Sequence, residues 1–282
     1  MNKPTITIIG GTSKFGRFWE RYFTERGSRV ILVTRSTEIT PREAIEKGDI
    51  IIFSVSIRHT VAAIREYIPY IKPNKLVMDF TGIKTEATQA LSDYTTGEVV
   101  ATHPMFGPWI TTLQGQNIAY DPINSGKHWK YISQLWKDDG VNLIELSSKK
   151  HDELVAIVQS TVHIMNIMFG HILESRGINI DELMRISTPN SRMQICILAR
   201  FLNQEASLYT DMQMENTVYK KEILENLGSY FSKMSTIIQD KKNEDLEKEF
   251  NIIKEYIGKD FLDKALKTSS EFDEHIKQSL TF

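Results

Sequence analysis

The sequence predicts an α/β N-terminal doubly wound sheet followed by an all-α C-terminal domain. Two observations predict it. From residue 5 to about 146, short apolar runs alternate with amphipathic stretches, and several runs are β-branched on consecutive residues. That is the pattern of strands covered by helices on both faces. After Ser147 the strand-like runs almost cease and long helical stretches follow. In order, strands are expected over 5–9, 29–33, 49–54, 75–80, 98–102, 117–120 and 142–146, with helices over 15–26, 60–68, 84–92 and 127–138. The second half should form helices over 151–176, 190–203, 217–239 and 244–277. Domain limits of 1–147 and 148–282 follow. The first long helix is apolar almost all round, from Leu154 and Val155 through Met165, Phe169 and Leu173. Such a helix needs partners on every side, so a homodimer through the helical half is expected.

The bulk numbers narrow the class. The 282 residues are 41% hydrophobic and 25% charged, with 34 basic against 36 acidic side chains and a net charge of −2. That balance speaks against a nucleic-acid partner. Cys196 is the single cysteine, which rules out an intrachain disulfide and points to a reducing, cytoplasmic compartment. The N-terminus lacks the apolar segment of a secretory signal, and no apolar run is expected to reach the length of a membrane span. The mixed charges of 241–249 read as a solvated helix or turn. No clustered Cys/His set suggests a metal site.

The run after the first strand carries the cofactor signal. Gly10-Gly11-Thr12-Ser13-Lys14-Phe15-Gly16 joins a strand to an amphipathic helix, the setting in which a glycine turn binds dinucleotide pyrophosphate and marks a Rossmann-type sheet. Gly11 suits the tight turn and Gly16 close packing of helix on strand. Ser13 stands where the fingerprint wants its second glycine, so phosphate should approach slightly differently or receive a hydroxyl hydrogen bond. The second strand ends Leu32-Val33-Thr34-Arg35-Ser36 without the carboxylate that would hold an adenosine ribose. Arg35 between the hydroxyls of Thr34 and Ser36 favours NADP by suiting a 2′-phosphate, and NAD stays open.

Candidate chemistry lies further along. The fifth expected strand runs into His103-Pro104-Met105-Phe106-Gly107, placing an imidazole at a strand's carboxyl end, where doubly wound sheets bind ligands. Imidazole can take a hydroxyl proton near neutral pH; taken alone, His103 reads equally as a hydrogen-bonded loop residue. Ser187-Thr188-Pro189 can cap and start a helix with Arg192 in its first turn, where the helix dipole disfavours a cation. An anion to bind would explain that placement, and so would an ion pair with Asp181 or Glu182. Gln159, His163 and Asn166 are spaced by four and three and form a polar stripe on an apolar helix. They either satisfy one another or line a pocket.

The histidine run resembles the histidine motif of prephenate and arogenate dehydrogenases. The glycine turn, Lys150-His151-Asp152 with Gln159 and His163, and Ser187-Thr188-Pro189-Asn190-Ser191-Arg192 resemble further segments of that family, in the same order. The resemblance implies oxidative decarboxylation of prephenate to 4-hydroxyphenylpyruvate, with hydride transfer to a nicotinamide cofactor in tyrosine biosynthesis. It implies that His103 is the catalytic base, that Arg192 holds the ring carboxylate, and that His163 and Gln159 line the substrate pocket in a cleft shared by the two halves. His151 matches a family histidine and reads as a cap or hinge. The segment 78–84 has Gly82 where the family commonly has a serine that helps orient the histidine; Thr81 or water is expected to substitute. A stand-alone dehydrogenase is expected, with neither a chorismate mutase domain before it nor a regulatory domain after it. Alternatives are an arogenate or amino-deoxyprephenate dehydrogenase of secondary metabolism and a non-catalytic, cofactor-sensing dimer. A β-hydroxyacid dehydrogenase would want a lysine where the buried helix offers His163.

Overall fold

The structure, a computed structural model, describes residues 3–34, 36–94, 96–215 and 217–279; Arg35, expected at the cofactor ribose, lies outside the described residues. The chain divides into two compact units. One comprises the residues up to Ala156 together with Ser207–Thr217, the other Ile157–Ala206 and the residues from Val218 onward.

The first unit is built on a seven-stranded sheet. Its elements run β1 (Ile6–Ile9), α1 (Lys14–Glu25), β2 (Val30–Val33), α2 (Pro41–Lys47), β3 (Ile50–Phe53), α3 (Ile57–Tyr67), β4 (Leu76–Asp79), α4 (Thr85–Leu91), β5 (Glu98–Pro104), β6 (Asn117–Asn124), α5 (Lys127–Asp138), β7 (Asn142–Glu145) and α6 (Ser148–Val155). Strand order is β2-β1-β3-β4-β5-β6-β7. The first five strands are mutually parallel, β6 runs antiparallel to β5, and β7 runs parallel to β6. Alternation along each strand splits the core. Ile50 and Ile52 join Trp19, Phe23 and Trp136 on one face, while Ile51 and Phe53 join Val77, Leu91 and Ala101 on the other. Both faces are covered, which is why the strands carry no polar alternation.

Two local features escaped the periodicity. Helix α2 is set by a capping box in which Thr40 accepts from the Glu43 amide and Glu43 accepts from the Thr40 amide, with Pro41 at the first helical position. Strand β5 is longer than expected and carries His103 inside its pairing with β6, opposite Ala119.

The second unit is helical. It contains α7 (Val162–Ser175), α8 (Ile180–Ile186), α9 (Pro189–Leu202), α11 (Thr217–Gln239), α12 (Asn243–Ile257) and α13 (Lys259–Ser279), while α10 (Ala206–Met214) packs with the first unit through Arg58, whose Nε donates to Asp211 at 2.8 Å. Helices α8 and α10 were not expected. The single helix expected over 244–277 is broken at Gly258, whose φ of 82° lies in the left-handed region that ends helices. A π-helical turn, Ala156–Thr161, joins α6 to α7. The resulting stretch Ser148–Ser175 is, by length and composition, long and apolar enough to cross a membrane. This corrects the expectation that no run reaches that length, because a short polar N-terminal end and Gln159, His163 and Asn166 interrupt the apolar residues in sequence without ending the helix. Among its apolar residues Val158, Met165, Met168 and Ile172 are exposed, as are Phe250, Ile253 and Tyr256 of α12 and Phe261 and Phe272 of α13.

Candidate active site

The glycine turn is sterically constrained in the way a dinucleotide cradle requires. Gly10 has a φ of 82°, and a Cβ there would lie 2.5 Å from the Ser54 carbonyl oxygen. A Cβ on Gly11 would meet the Leu32 side chain at 2.6 Å, and one on Gly16 would lie 2.3 Å from the Gly11 carbonyl oxygen. No side chain fits at these positions without moving backbone or core. Ser13, the departure from the fingerprint, is the N-cap of α1: its Oγ accepts from the Gly16 amide at 3.0 Å. The hydroxyl thus serves the turn itself. Thr12, Ser13 and Lys14 are exposed at the helix N-terminus, where partial positive charge suits a pyrophosphate. Phe15 packs edge-on against Phe80 and Phe106 at 6.0 and 6.2 Å between centroids, so the turn and the histidine segment share one aromatic cluster. A pocket of about 240 Å³ opens beside the turn, lined by Gly10, Thr34, Val55, His59 and Glu66 among others. Thr34 Oγ1 lies 3.1 Å from Ser36 Oγ and accepts from the Ser36 amide at 3.3 Å, closing the turn after β2. The cradle and pocket fit a dinucleotide.

His103 is 8% exposed and sits at the head of a hydrogen-bonded chain. Its Nδ1 is 2.8 Å from His151 Nε2, and His151 Nδ1 is 2.9 Å from Asp152 Oδ1. The carboxylate can only accept, which assigns the proton on His151 to Nδ1. In the neutral ring Nε2 of His151 is then an acceptor, so His103 carries its own proton on Nδ1. His103 Nε2 is left as a lone pair, and among the described residues it makes no hydrogen bond. The arrangement follows the logic of a base oriented by a partner that is itself oriented by a carboxylate. Burial, reinforced by the Lys84 charge, pushes the His103 imidazole well below its usual 6.5, so the ring is neutral and able to take a proton at neutral pH.

Asp152 is the anchor of the chain. Its Oδ1 also accepts from the Lys84 amide at 2.8 Å, and its Oδ2 accepts from the Thr85 amide at 2.8 Å and the Thr85 hydroxyl at 2.6 Å. Burial alone would raise its carboxyl, but the hydrogen bonds from His151, Thr85 and Lys84 hold it below the ordinary carboxylate range. Helix α6 is fixed at its start as well, where Asp121 accepts from the Ser148 amide and hydroxyl at 2.6 Å each.

At Gly82 a Cβ would stand 3.5 Å from His103 Nε2 and 3.6 Å from Cε1, at ordinary contact distance. A side chain there would face the free nitrogen of this imidazole. The Thr81 hydroxyl does not substitute for one: it is buried and makes no hydrogen bond among the described residues, while the Thr81 amide donates to Asp79 at 3.0 Å.

In the helical unit Thr188 caps α9, accepting from the Ser191 amide at 3.4 Å, with Pro189 first in the helix as expected. Arg192 pairs with neither Asp181 nor Glu182. Its Nε and one terminal nitrogen donate to the two carboxylate oxygens of Asp273 on α13, each at 2.9 Å, and the other donates to the Ser187 carbonyl at 2.7 Å. The pair keeps the guanidinium above and the carboxyl below their ordinary values, chiefly through those hydrogen bonds. The polar stripe separates into distinct environments. Asn166 is satisfied by the Val162 carbonyl at 2.9 Å and by Gln194 Nε2 at 3.0 Å. Gln159 falls in the π turn, which shifts it out of the register that regular α spacing gives, and its Oε1 is buried without a hydrogen bond among the described residues. His163 stacks obliquely on Phe201 at 5.2 Å, and burial, with the nearby Lys220 charge, lowers its imidazole to about 4.

Sequence reasoning named His103, read His151 as a cap or hinge, and gave Asp152, Asp79 and Lys84 no role of their own. The available signal was charge in the wrong place: Asp79 closes an otherwise apolar strand, and both Asp79 and Lys84 are buried.

Comparison with known proteins identifies the family and the fold. Residues 25–144 match the family model described as prephenate dehydrogenase, nucleotide-binding domain, and residues 147–252 match that of its dimerization domain. A Methanocaldococcus jannaschii protein described as "Probable arogenate/prephenate dehydrogenase" is 32% identical over 270 residues, covering 89% of this chain and 60% of that protein. This chain thus spans less than two thirds of that relative's length. Among solved structures, prephenate dehydrogenase from Aquifex aeolicus has a TM-score of 0.69 at 15% identity, covering 88% of this chain and 96% of that one. The same organism's enzyme in complex with hydroxyphenyl propionate and NAD+ has a TM-score of 0.65 at 16% identity, covering 92% and 99%. These two share the fold. With both of its halves matched by that family's models, the chain belongs to the prephenate dehydrogenase family.

Proposed function

We propose that the chain is a cytoplasmic, NAD(P)-dependent dehydrogenase that oxidises prephenate with loss of carbon dioxide, giving 4-hydroxyphenylpyruvate for tyrosine formation. The observation that carries this reading is the Asp152–His151–His103 chain, which leaves a neutral imidazole with an unprotonated Nε2 at the end of β5. A nicotinamide dinucleotide held by its pyrophosphate at the glycine turn would supply the hydride acceptor. His103 Nε2 takes the proton of the ring hydroxyl as hydride leaves the same carbon. As His103 gains this proton, the imidazolium is stabilised through Nδ1 by His151 and, behind it, the Asp152 carboxylate. The ring carboxylate departs as carbon dioxide, and the aromatic ring that results makes the step effectively irreversible.

Arg192 is assigned to the ring carboxylate. Asp273 already shows the two-pronged geometry such a carboxylate would adopt, so substrate binding there is an exchange of one carboxylate for another. Gln159 and His163 are assigned to the pocket: the unsatisfied Gln159 Oε1 can accept from a substrate hydroxyl, and His163 is held neutral. NADP is favoured because Thr34 and Ser36 offer hydroxyls, not a carboxylate, after β2. The exposed apolar residues of α7, α12 and α13, together with the dimerization-domain match, support a homodimer formed through the helical unit.

A second reading, arogenate as substrate, stays in view because the Methanocaldococcus jannaschii relative is described as a probable arogenate/prephenate dehydrogenase. The two substrates differ in the side chain, which bears a keto group in prephenate and an ammonium in arogenate. Initial rates with each substrate and each of NAD and NADP test the proposal. The highest kcat/KM is expected for prephenate with NADP; turnover of neither substrate would refute it.

A further inference from the structure

Beneath His103 lies a second pair of charges for which proton transfer has no direct use. Lys84 is 2% exposed and Asp79 is not exposed at all, and the Lys84 ammonium is in contact with the Asp79 carboxylate. The ion pair itself is a weak stabilising device, because two apolar side chains of similar volume often hold a core as well. Its value lies in direction. The regular β4–β5 ladder ends at Asp79 and Ala101, one residue short of Thr102. Beyond that point the Thr102 peptide is held by side chains. Its amide donates to Asp79 Oδ1 at 3.3 Å, its carbonyl accepts from Lys84 Nζ at 2.6 Å, and its hydroxyl donates to the Asp79 carbonyl. Thr102 is the residue before the base. The backbone of Lys84 also holds the other end of the chain, since its amide donates to the Asp152 oxygen that accepts from His151.

We propose that Asp79 and Lys84 are a positioning pair for His103, fixing the peptide that precedes the ring and, through the Lys84 backbone, the histidine–carboxylate chain behind it. The pair touches neither reacting atom. The Lys84 ammonium adds a second effect: a positive charge near the ring disfavours its protonation, in the same direction as burial. Other titratable groups around the ring and the pair are His151 and Asp152 from α6 and Asp121 from β6, and none of them bridges Asp79 to Thr102.

The mechanism assigned to this pair rests on the dehydrogenase reading, but its placement of His103 does not, and the experiment separates the two. Lys84→Met alone leaves a buried carboxylate without its partner and is a poor probe of anything but folding. The double variant Asp79→Leu/Lys84→Met removes both charges with little change in volume and is the informative one. Nitrogen-15 spectra of the histidine rings, recorded through a pH titration of the full chain without ligand, report the tautomer and titration midpoint of His103. In the parent protein His103 is expected as the Nδ1–H tautomer, with a midpoint well below the usual imidazole value. In the double variant the tautomers mix and the midpoint moves upward. Steady-state assays then show kcat lowered about 10²-fold, the loss typical of a misplaced reacting group, with KM for substrate little changed and the acid limb of the pH profile moved upward. Wild-type tautomer and midpoint in the folded double variant overturn the proposal. If the spectra change as expected while the parent turns over neither prephenate nor arogenate, the positioning role stands and the assigned activity falls.

Discussion

Replacing Asp152 with Asn is the most discriminating perturbation of the histidine chain. The carboxylate accepts at least four hydrogen bonds: Oδ1 from His151 Nδ1 and the Lys84 amide, Oδ2 from the amide and hydroxyl of Thr85. A carboxamide has one oxygen for these donors and turns two hydrogens of its own on the rest. If that oxygen stays with Thr85, the amide group confronts His151 and the Lys84 amide. His151 can answer by accepting at Nδ1 and moving its proton to Nε2. His103 Nδ1 must then accept, which sends the His103 proton to Nε2, the atom that should receive one from substrate. The base is thereby converted into a donor. General-base catalysis contributes about 10²–10⁴-fold, and kcat should fall by that order. The buried Lys84 amide loses a hydrogen bond to a charged acceptor, worth about 1.5–3 kcal/mol in stability. Steady-state kinetics and thermal unfolding measure the two effects. Normal kcat in a variant that is destabilised as expected would show that Asp152 anchors α6 without setting the tautomer, and the chain as described would be wrong.

Because His103 titrates well below the usual 6.5, kcat/KM should stay level from pH 8 through about 6.5 and decline only in more acid solution. The unfolded chain takes up that proton first, so the contribution of His103 to stability is present above about pH 6.5 and is lost as pH falls through the depressed folded value; His103→Asn should remove this dependence from pH-resolved unfolding curves. Gly82→Ser fits at ordinary contact distance and places a hydroxyl beside His103 Nε2; one added hydrogen bond of about 0.5–1.5 kcal/mol should raise kcat about two- to tenfold, whereas a fall in kcat would mean that substrate itself needs the space. Asp273→Asn should lower KM for a carboxylate substrate, since Arg192 no longer exchanges one anion for another; a higher KM with a lower Tm would make Asp273 the support of Arg192, not its competitor.

The architecture was legible because its cause is periodic. The seven expected strands are those of the sheet, since a sheet covered on both faces writes itself as consecutive β-branched residues. Where local chemistry overrides periodicity, the reading failed. Thr40-Pro41-Arg42-Glu43 starts a helix by capping, and Gly258 breaks a stretch whose apolar spacing runs on without pause. The π turn is likewise invisible to a count by threes and fours, which is why Gln159 falls out of register with His163 and Asn166. Within the site, His103 and the glycine turn could be named because each lies within one short segment. Asp152 and Lys84 act through partners 68 residues apart in sequence, and the Arg192–Asp273 pair spans 81. Nothing in the sequence around Arg192 points to α13, so the expected partners Asp181 and Glu182 were the near ones, and the true one is far.

The account stands most directly on the base. His103→Asn should abolish the reduction of cofactor by prephenate while leaving nucleotide affinity unchanged, because the ring is assigned to the reacting hydroxyl and not to the glycine turn. Kinetics read by the absorbance of the reduced cofactor, paired with calorimetric titration of NADP, give both numbers. Turnover near the parent rate in a variant that binds nucleotide normally would contradict the assignment of His103 and the mechanism built on it.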